Sequence, residues 1–191
     1  MKSLLTFSFA TLAWFQIQAQ DMGIMYDDRD GQEYETILLT FEVDGVLLTN
    51  EWIASNLNYE SEESKCYKNY PEYCNTYGRL YSWKDAKSIC PQGWHLSSDK
   101  EWKLVIDKFG TKAIAANTLR EGGDSNLNLI PAGFGEKGGQ FIDIGVNGYY
   151  WKSDDKFSST PGTITIHRGV EYITDDQVDE THYNSVRCVR D

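Results

Sequence analysis

The chain has 191 residues, of which 40% are hydrophobic and 14% aromatic, a composition typical of a folded domain and unlike that of a disordered segment. Its formal net charge of −11 makes nucleic acids and anionic membrane surfaces unfavourable partners, because their phosphates repel an acidic protein. The same charge favours solubility, so by itself it does not indicate a ligand.

Residues 1–19 have the pattern of a secretory signal peptide. Lys2 supplies a positive start, residues 4–15 form an apolar run, and the small residue Ala19 precedes a polar stretch. The run is shorter than the roughly 20 apolar residues that cross a bilayer, so a membrane anchor or a buried helix is the weaker alternative. We predict cleavage after Ala19 and a single domain over residues 20–191. This domain does not span a membrane and is secreted or lies at the cell surface.

The first predicted elements after the signal are strands. A polar turn at residues 26–31 leads into a strand at residues 34–37. Asp44 and Gly45 then separate two apolar runs between residues 38 and 48, which is the pattern of a β-hairpin.

Capping signals predict two helices in the middle of the chain. The first begins after Ser82, with Asp85 three residues later, and ends before Pro91; the second begins after Ser98, with Glu101 three residues later. Each has an apolar face with helical spacing, which predicts packing against a core. These faces consist of Trp83, Ala86, Ile89 and Cys90 in the first helix, and of Trp102, Val105, Ile106 and Phe109, followed by Gly110, in the second.

Beyond Gly110 the pattern predicts short strands separated by turns, and no further helix. Residues 163–166 alternate between threonine and isoleucine, as in a half-buried strand. A strand region, two helices and a second strand region together indicate an α+β domain. The strands predicted in this part of the chain are residues 141–144, 148–152, 163–166 and 185–189.

The four cysteines indicate disulfides, since they are even in number in a chain that we expect to be exported. Of the three pairings that four cysteines allow, the spacing favours a local bond between Cys66 and Cys74 and a long one between Cys90 and Cys188. The rival interpretation is a zinc site. No Cys-x-x-Cys pair exists, and the histidines (His95, His167 and His182) do not stand at ligand spacing beside the cysteines, so we predict no metal site.

The candidate ligand-binding residues lie near the end of the strand predicted at residues 148–152. Flat aromatic rings suit sugar rings, and an acidic pair follows three aromatic residues here. The alternative is that alternate side chains of this strand belong to the core, as we expect for Trp83, Trp94 and Trp102. The candidates are Tyr149, Tyr150, Trp151, Asp154 and Asp155.

No cofactor is predicted, and calcium is the one ion that the acidic clusters would suit. Calcium needs several oxygen ligands, which Asp154–Asp155, Asp175–Asp176 and Asp179–Glu180 could supply. We favour the alternative that these clusters are solvated loops. The Glu-Pro-Asn, Gln-Pro-Asp and Trp-Asn-Asp motifs of calcium-dependent sugar-binding lectins do not occur in the sequence.

The sequence contains no recognisable catalytic motif, neither Gly-x-Ser-x-Gly nor His-Glu-x-x-His. His95 stands between Trp94 and Leu96, where we expect a buried, hydrogen-bonded histidine and not a catalytic one. We therefore favour a non-enzymatic surface or binding module for a glycan or an extracellular protein at the cell envelope. One alternative is a secreted hydrolase of polysaccharides, whose paired carboxylates need not be close in sequence; another is a structural surface component without a small ligand.

Four segments resemble the Fibrobacter succinogenes major paralogous domain, a family of exported bacterial proteins. They are residues 28–39 (DRDGQEYETILL), 56–59 (NLNY), 77–102 (YGRLYSWKDAKSICPQGWHLSSDKEW) and 185–191 (SVRCVRD), with weaker matches at 130–134 (IPAGF) and 149–153 (YYWKS). The chain departs from the family pattern in having Ser97 in place of a proline and a longer stretch between Leu39 and Trp52.

The third segment also resembles the C-type-lectin-like fold, with two helices packed on short antiparallel strands and long irregular loops. In that fold a helix ends in a cysteine that pairs with one near the C-terminus. The resemblance implies the Cys90–Cys188 bond, adjacent termini and a loop region that binds ligands. The formylglycine-generating enzymes have a related fold, but their paired active-site cysteines have no counterpart here once both disulfides form.

Overall fold

The structure is a computed structural model that describes residues 21–153, 161–169 and 172–191. The predicted signal peptide, residues 1–19, and two candidate ligand residues, Asp154 and Asp155, lie outside the described residues. The described part of the chain contains twelve strands in three antiparallel sheets and four α-helices, which confirms the α+β prediction. Among these helices, none combines the length and the apolar character needed to cross a membrane.

The largest sheet has five strands and joins the beginning of the chain to its end. Its predicted hairpin is confirmed: Asp44 and Gly45 both have positive φ angles (50° and 79°), as a tight two-residue turn requires. The preceding edge strand was not predicted. In spatial order the strands are β1 (Met22–Asp27), β2 (Gln32–Val43), β3 (Val46–Ile53), β12 (Cys188–Arg190) and β5 (His95–Leu96).

A three-stranded sheet is formed by β8 (Asn147–Lys152), β9 (Gly162–His167) and β10 (Tyr172–Gln177), with β9 in the centre. The strand predicted at residues 163–166 is confirmed as part of β9, but its expected half-burial is wrong, because both faces of β9 are covered and all four side chains are buried. The acidic strand β10 was not predicted, since its two aspartates are unusual in a strand.

The third sheet has four strands of two residues each. Its order is β4 (Tyr81–Ser82), β11 (Tyr183–Asn184), β6 (Phe134–Gly135) and β7 (Phe141–Ile142). The strand predicted at residues 185–189 is confirmed only at residues 188–189, because the chain leaves this sheet after β11 and enters the five-stranded sheet at β12.

The helices are α1 (Pro71–Tyr77), α2 (Trp83–Ala86), α3 (Asp99–Lys108) and α4 (Lys112–Leu119). Both predicted N-terminal caps are confirmed, although α2 is a single turn and shorter than expected. The prediction of no helix after Gly110 is wrong. Thr111 caps α4, whose alanine-rich buried face has too weak a periodicity to stand out in the sequence.

Tryptophan side chains form the centre of the core. The rings of Trp52 on β3 and Trp102 on α3 are 5.0 Å apart, and this contact packs α3 against the five-stranded sheet. A neighbouring cluster contains Trp151, with Trp83 at 5.3 Å. The predicted core positions of Trp94 and Trp102 are confirmed, whereas Trp83 is half-buried against this second cluster.

Both predicted disulfides are formed. Cys66–Cys74 closes a local loop that contains the start of α1, and Cys90–Cys188 joins the segment after α2 to β12, with Cα–Cα distances of 5.0 and 5.7 Å. No free cysteine is found, and all four lie within the described residues. Paired cysteines of this kind are typical of proteins in oxidising compartments.

Arg187 is a fully buried cation that links three segments. Its guanidinium donates to the carbonyl oxygens of Ile53 (3.0 Å), Leu127 (2.7 Å) and Asn128. Its Nε donates to Oδ1 of Asn56 at 3.1 Å. Burial lowers the pKa of this guanidinium to about 10, so it is still charged at neutral pH. Since an unsolvated charge needs hydrogen-bond partners, these contacts determine where β3 ends and where residues 127–128 lie.

An ion pair between Arg29 and Asp27 positions the hairpin formed by β1 and β2. Asp27 is fully buried, and Arg29 donates to both of its oxygens, at 2.8 and 2.6 Å. Burial alone would raise the pKa of Asp27, but the hydrogen bonds and charge of Arg29 outweigh that effect and lower it. Arg29 also donates to the carbonyl of Ile89 (2.7 Å) and lies 3.8 Å from the ring of Tyr59. The turn between β1 and β2 is therefore attached to the segment after α2.

Removing the long disulfide is expected to destabilise the fold more than removing the short one. On the chain-entropy model, replacing Cys90 and Cys188 by serine lowers the free energy of unfolding by about 4.7 kcal/mol, because the bond spans 98 residues. The same change at Cys66 and Cys74, 8 residues apart, costs about 2.6 kcal/mol. Urea unfolding followed by tryptophan fluorescence measures both variants, and an equal or reversed order would contradict the prediction.

Arg187→Met is expected to lower the free energy of unfolding by at least about 3 kcal/mol, because it leaves buried carbonyl oxygens without donors. Arg190→Met is the matched control. That arginine is exposed and pairs with Glu51 at the surface, where an ion pair contributes about 0–1 kcal/mol. Chemical denaturation gives both values, and similar losses for the two variants would show that Arg187 does not hold these segments.

Candidate functional site

The structure places two of the candidate ligand residues of β8 in the core. Tyr150 and Trp151 have no exposed surface. The Tyr150 hydroxyl donates to the carbonyl of Ile130, and Nε1 of Trp151 donates to that of Tyr81, each at 2.7 Å. Consecutive residues are buried because β8 is covered on both of its faces. The prediction that these two rings contact a ligand is therefore wrong.

Tyr149 is half-buried and belongs to a group of rings that reaches the surface. Its ring centroid lies 4.9 Å from that of Phe134, and Phe134 lies 5.0 Å from His182. All three side chains are partly exposed. We call Phe134, Tyr149 and His182 the aromatic cluster. The sequence did not indicate Phe134 or His182, because β6 and the start of β11 meet β8 only through the fold.

Asp143 lies beside the aromatic cluster, and its carboxylate accepts hydrogen bonds there. The Tyr149 hydroxyl donates to Oδ2 of Asp143 at 2.6 Å, and Nδ2 of Asn147 donates to the same oxygen at 2.9 Å. Burial and the hydrogen bond to Asp143 raise the pKa of Tyr149 to about 12, so the phenol remains a donor at neutral pH. Both hydrogen bonds use Oδ2 of Asp143.

A second set of rings lies on the opposite face of the same small sheet. Gly135 pairs with both Tyr183 and Phe141, and by strand alternation these rings project away from Phe134. A Cβ atom at Gly135 would lie 3.0 Å from the Phe141 ring, so glycine allows the ring to rest on the backbone. The ammonium group of Lys65 lies 4.1 Å from the centre of the Tyr183 ring.

At the other end of β8 the buried Lys152 forms ion pairs with two carboxylates that are partly exposed. The Lys152 ammonium donates to Asp99 and to Asp175, the latter at 2.6 Å, beside a cleft of about 320 Å³. Burial alone would lower the pKa of Lys152, but the hydrogen bonds to Asp175 and Asp99 outweigh it and raise the pKa. Lys152 thereby holds Asp99 and Asp175 together at this end of β8.

In the described residues, the aspartates of the acidic clusters considered for calcium interact with other groups of the same chain. Asp175 binds Lys152, the Asp176 carboxylate accepts a hydrogen bond from Thr174, and Asp179 accepts one from the backbone of Thr181. The cluster at Asp154 and Asp155 lies in the undescribed segment 154–160.

His95 is exposed, so the prediction that it is buried is wrong. Its strand β5 lies at the edge of the five-stranded sheet, and 45% of its side chain is accessible. The predicted hydrogen bond is present, since Nε2 lies 2.7 Å from Oε1 of Glu101.

The comparison with protein families gives a match over most of the chain. The sequence model of the Fibrobacter succinogenes major domain matches residues 47–190. The chain belongs to this family. The matched range of this family includes both disulfides, Arg187 and the aromatic cluster, whereas β1 and β2 precede it. Searches of curated proteins and of solved structures found no match. The family description names neither a ligand nor a reaction.

Proposed function

We propose that this protein is an exported, non-enzymatic binding module with a C-type-lectin-like fold, and that its aromatic cluster binds a glycan at the cell envelope. The observation that carries the proposal is the arrangement of Phe134, Tyr149 and His182 as adjoining, partly exposed rings. Such rings offer flat apolar surface at a low cost in side-chain entropy, and their faces match the C–H faces of sugar rings.

The polar groups beside the rings support a glycan as the ligand class. Sugar hydroxyls both donate and accept hydrogen bonds, so a glycan site combines an aromatic surface with fixed polar groups. Asp143 and Asn147 are such groups, and their mutual hydrogen bond holds them next to Tyr149. The positive φ of Asp143 (69°) turns the backbone so that this side chain faces the ring.

The C-type-lectin-like fold is supported by the contacts of the third family-like segment. The Cys90–Cys188 bond joins the end of this helical region to the C-terminal strand, and α3 starts with a full capping box shortly afterwards. β12 pairs with β3 and not with β1, so β1 and β2 extend the sheet beyond the part that resembles the lectin-like fold.

Export is supported by the two disulfides together with the signal-like residues 1–19. A reducing cytosol would keep such cysteines as thiols. Within this proposal, the mature protein acts outside the cytoplasm, where envelope glycans are the polymers that it meets.

The test is a glycan array probed with residues 20–191, followed by calorimetry on any glycan that binds. Tyr149→Ala and Phe134→Ala are each expected to weaken binding about tenfold or more, since an aromatic contact is worth roughly 1.5 kcal/mol. Tyr149→Phe keeps the ring and loses the contact to Asp143, so its loss should be smaller.

Tyr26→Ala is the matched control, because Tyr26 is 62% exposed on β1, in a different sheet. Its affinity should equal that of the unmodified protein, and circular dichroism should show that all variants are folded. The proposal is rejected if no glycan binds, if a protein from an envelope extract binds at these rings instead, or if the Tyr149 and Phe134 variants bind normally.

A further inference from the structure

Three side chains that commonly bind metals converge where α3 begins over the five-stranded sheet. His95 lies in β5, Glu101 in the first turn of α3, and Asp191 directly after β12. One ligand atom from each lies within 4.8 Å of those from the other two. The strand register explains this meeting, because His95 pairs with Val189 and Asp191 follows two residues later on the same face.

Both carboxylates are positioned by hydrogen-bond donors that leave a second oxygen for an ion. Oε2 of Glu101 accepts from the backbone nitrogen and from the hydroxyl of Ser98, each at 2.6 Å, while Oε1 faces His95. Oδ1 of Asp191 accepts from Nδ2 of Asn50 at 2.7 Å. Groups that hydrogen-bond to a metal-binding side chain orient it toward the ion, and such groups are common in protein metal sites.

The sequence predicted no metal site, but from this convergence we propose that His95, Glu101 and Asp191 form a binding site for a divalent transition-metal ion, with Zn²⁺ as the ion that fits best. One imidazole and two carboxylates form a ligand set that zinc accepts, whereas calcium and magnesium take oxygen ligands. Three protein ligands leave a fourth tetrahedral position for water or an external group. The ion also neutralises two neighbouring carboxylates in an acidic protein.

The site needs a small adjustment to hold the ion. Nε2 of His95 and Oε1 of Glu101 are 2.7 Å apart. Two ligand atoms about 2.0 Å from a tetrahedral zinc are about 3.3 Å apart, so they must separate by roughly 0.6 Å. His95 can make this movement because 45% of its side chain is exposed, while Glu101 remains held by Ser98. The alternative is that His95 and Glu101 form a surface ion pair and nothing more.

Calorimetric titration of Zn²⁺ into residues 20–191, prepared without a histidine tag, tests the proposal. We expect one ion per chain. His95→Ala and Asp191→Asn should each weaken binding at least tenfold, and Asn50→Ala about tenfold, the lower end of the usual outer-shell effect. Titration with Co²⁺ adds a visible absorption band that reports the coordination geometry directly.

His167→Ala is the matched control, because His167 lies on β9 and contacts Thr174, away from α3. It should bind zinc as the unmodified protein does. Glu101 is not substituted, since it caps α3 and its loss would change the helix. Absence of zinc binding at millimolar concentration, unchanged affinity in His95→Ala, or an equal loss in His167→Ala would each overturn the proposal. No glycan is present in these titrations, so their result is independent of the proposed glycan binding.

Discussion

The buried guanidinium of Arg187 is the contact on which the arrangement of the remaining elements depends. It is a charge in the core whose described hydrogen bonds all go to neutral acceptors, on Ile53, Leu127, Asn128 and Asn56. Such a cation is tolerated only where the backbone brings several carbonyl oxygens together. Without Arg187, these carbonyl oxygens would lack hydrogen-bond donors. Without the carbonyl oxygens, the buried charge of Arg187 would lack acceptors.

The short segment that contains Arg187 also connects the two proposed sites. On one side, the backbone of Ser185 exchanges hydrogen bonds with Tyr149 and Trp151, at 2.9 and 3.0 Å, and so positions β8 beside the aromatic cluster. On the other side, β12 brings Asp191 next to His95. The Cys90–Cys188 bond lies between these contacts. The seven residues 185–191 thus set the position of both surfaces without belonging to the aromatic cluster.

The features that the sequence predicted correctly are those determined by nearby residues. The caps at Ser82 and Ser98, the turn at Asp44 and both disulfides follow from short spacings or from cysteine chemistry.

Burial was less predictable, because it depends on what covers a strand. Tyr150 and Trp151 are buried by layers on both sides of β8, whereas His95 is exposed because β5 is an edge strand. The aromatic cluster also escaped prediction, since strands distant in sequence bring its rings together. Its members Phe134, Tyr149 and His182 come from three separate segments.

The described carboxyl groups with a shifted pKa do not include one with the raised pKa of a general acid. A general acid needs a carboxyl group whose pKa is raised, so that it still has a proton at neutral pH. Among the described carboxyl groups with a shifted pKa, Asp27 and Asp179 are both shifted downward, the first through Arg29 and the second through the backbone of Thr181. Asp99 and Asp175 share the Lys152 ammonium, which holds them together at one end of β8. These side chains hold the fold together or carry charge at the surface, and among the described residues we propose the rings beside Asp143 as the surface that meets a ligand.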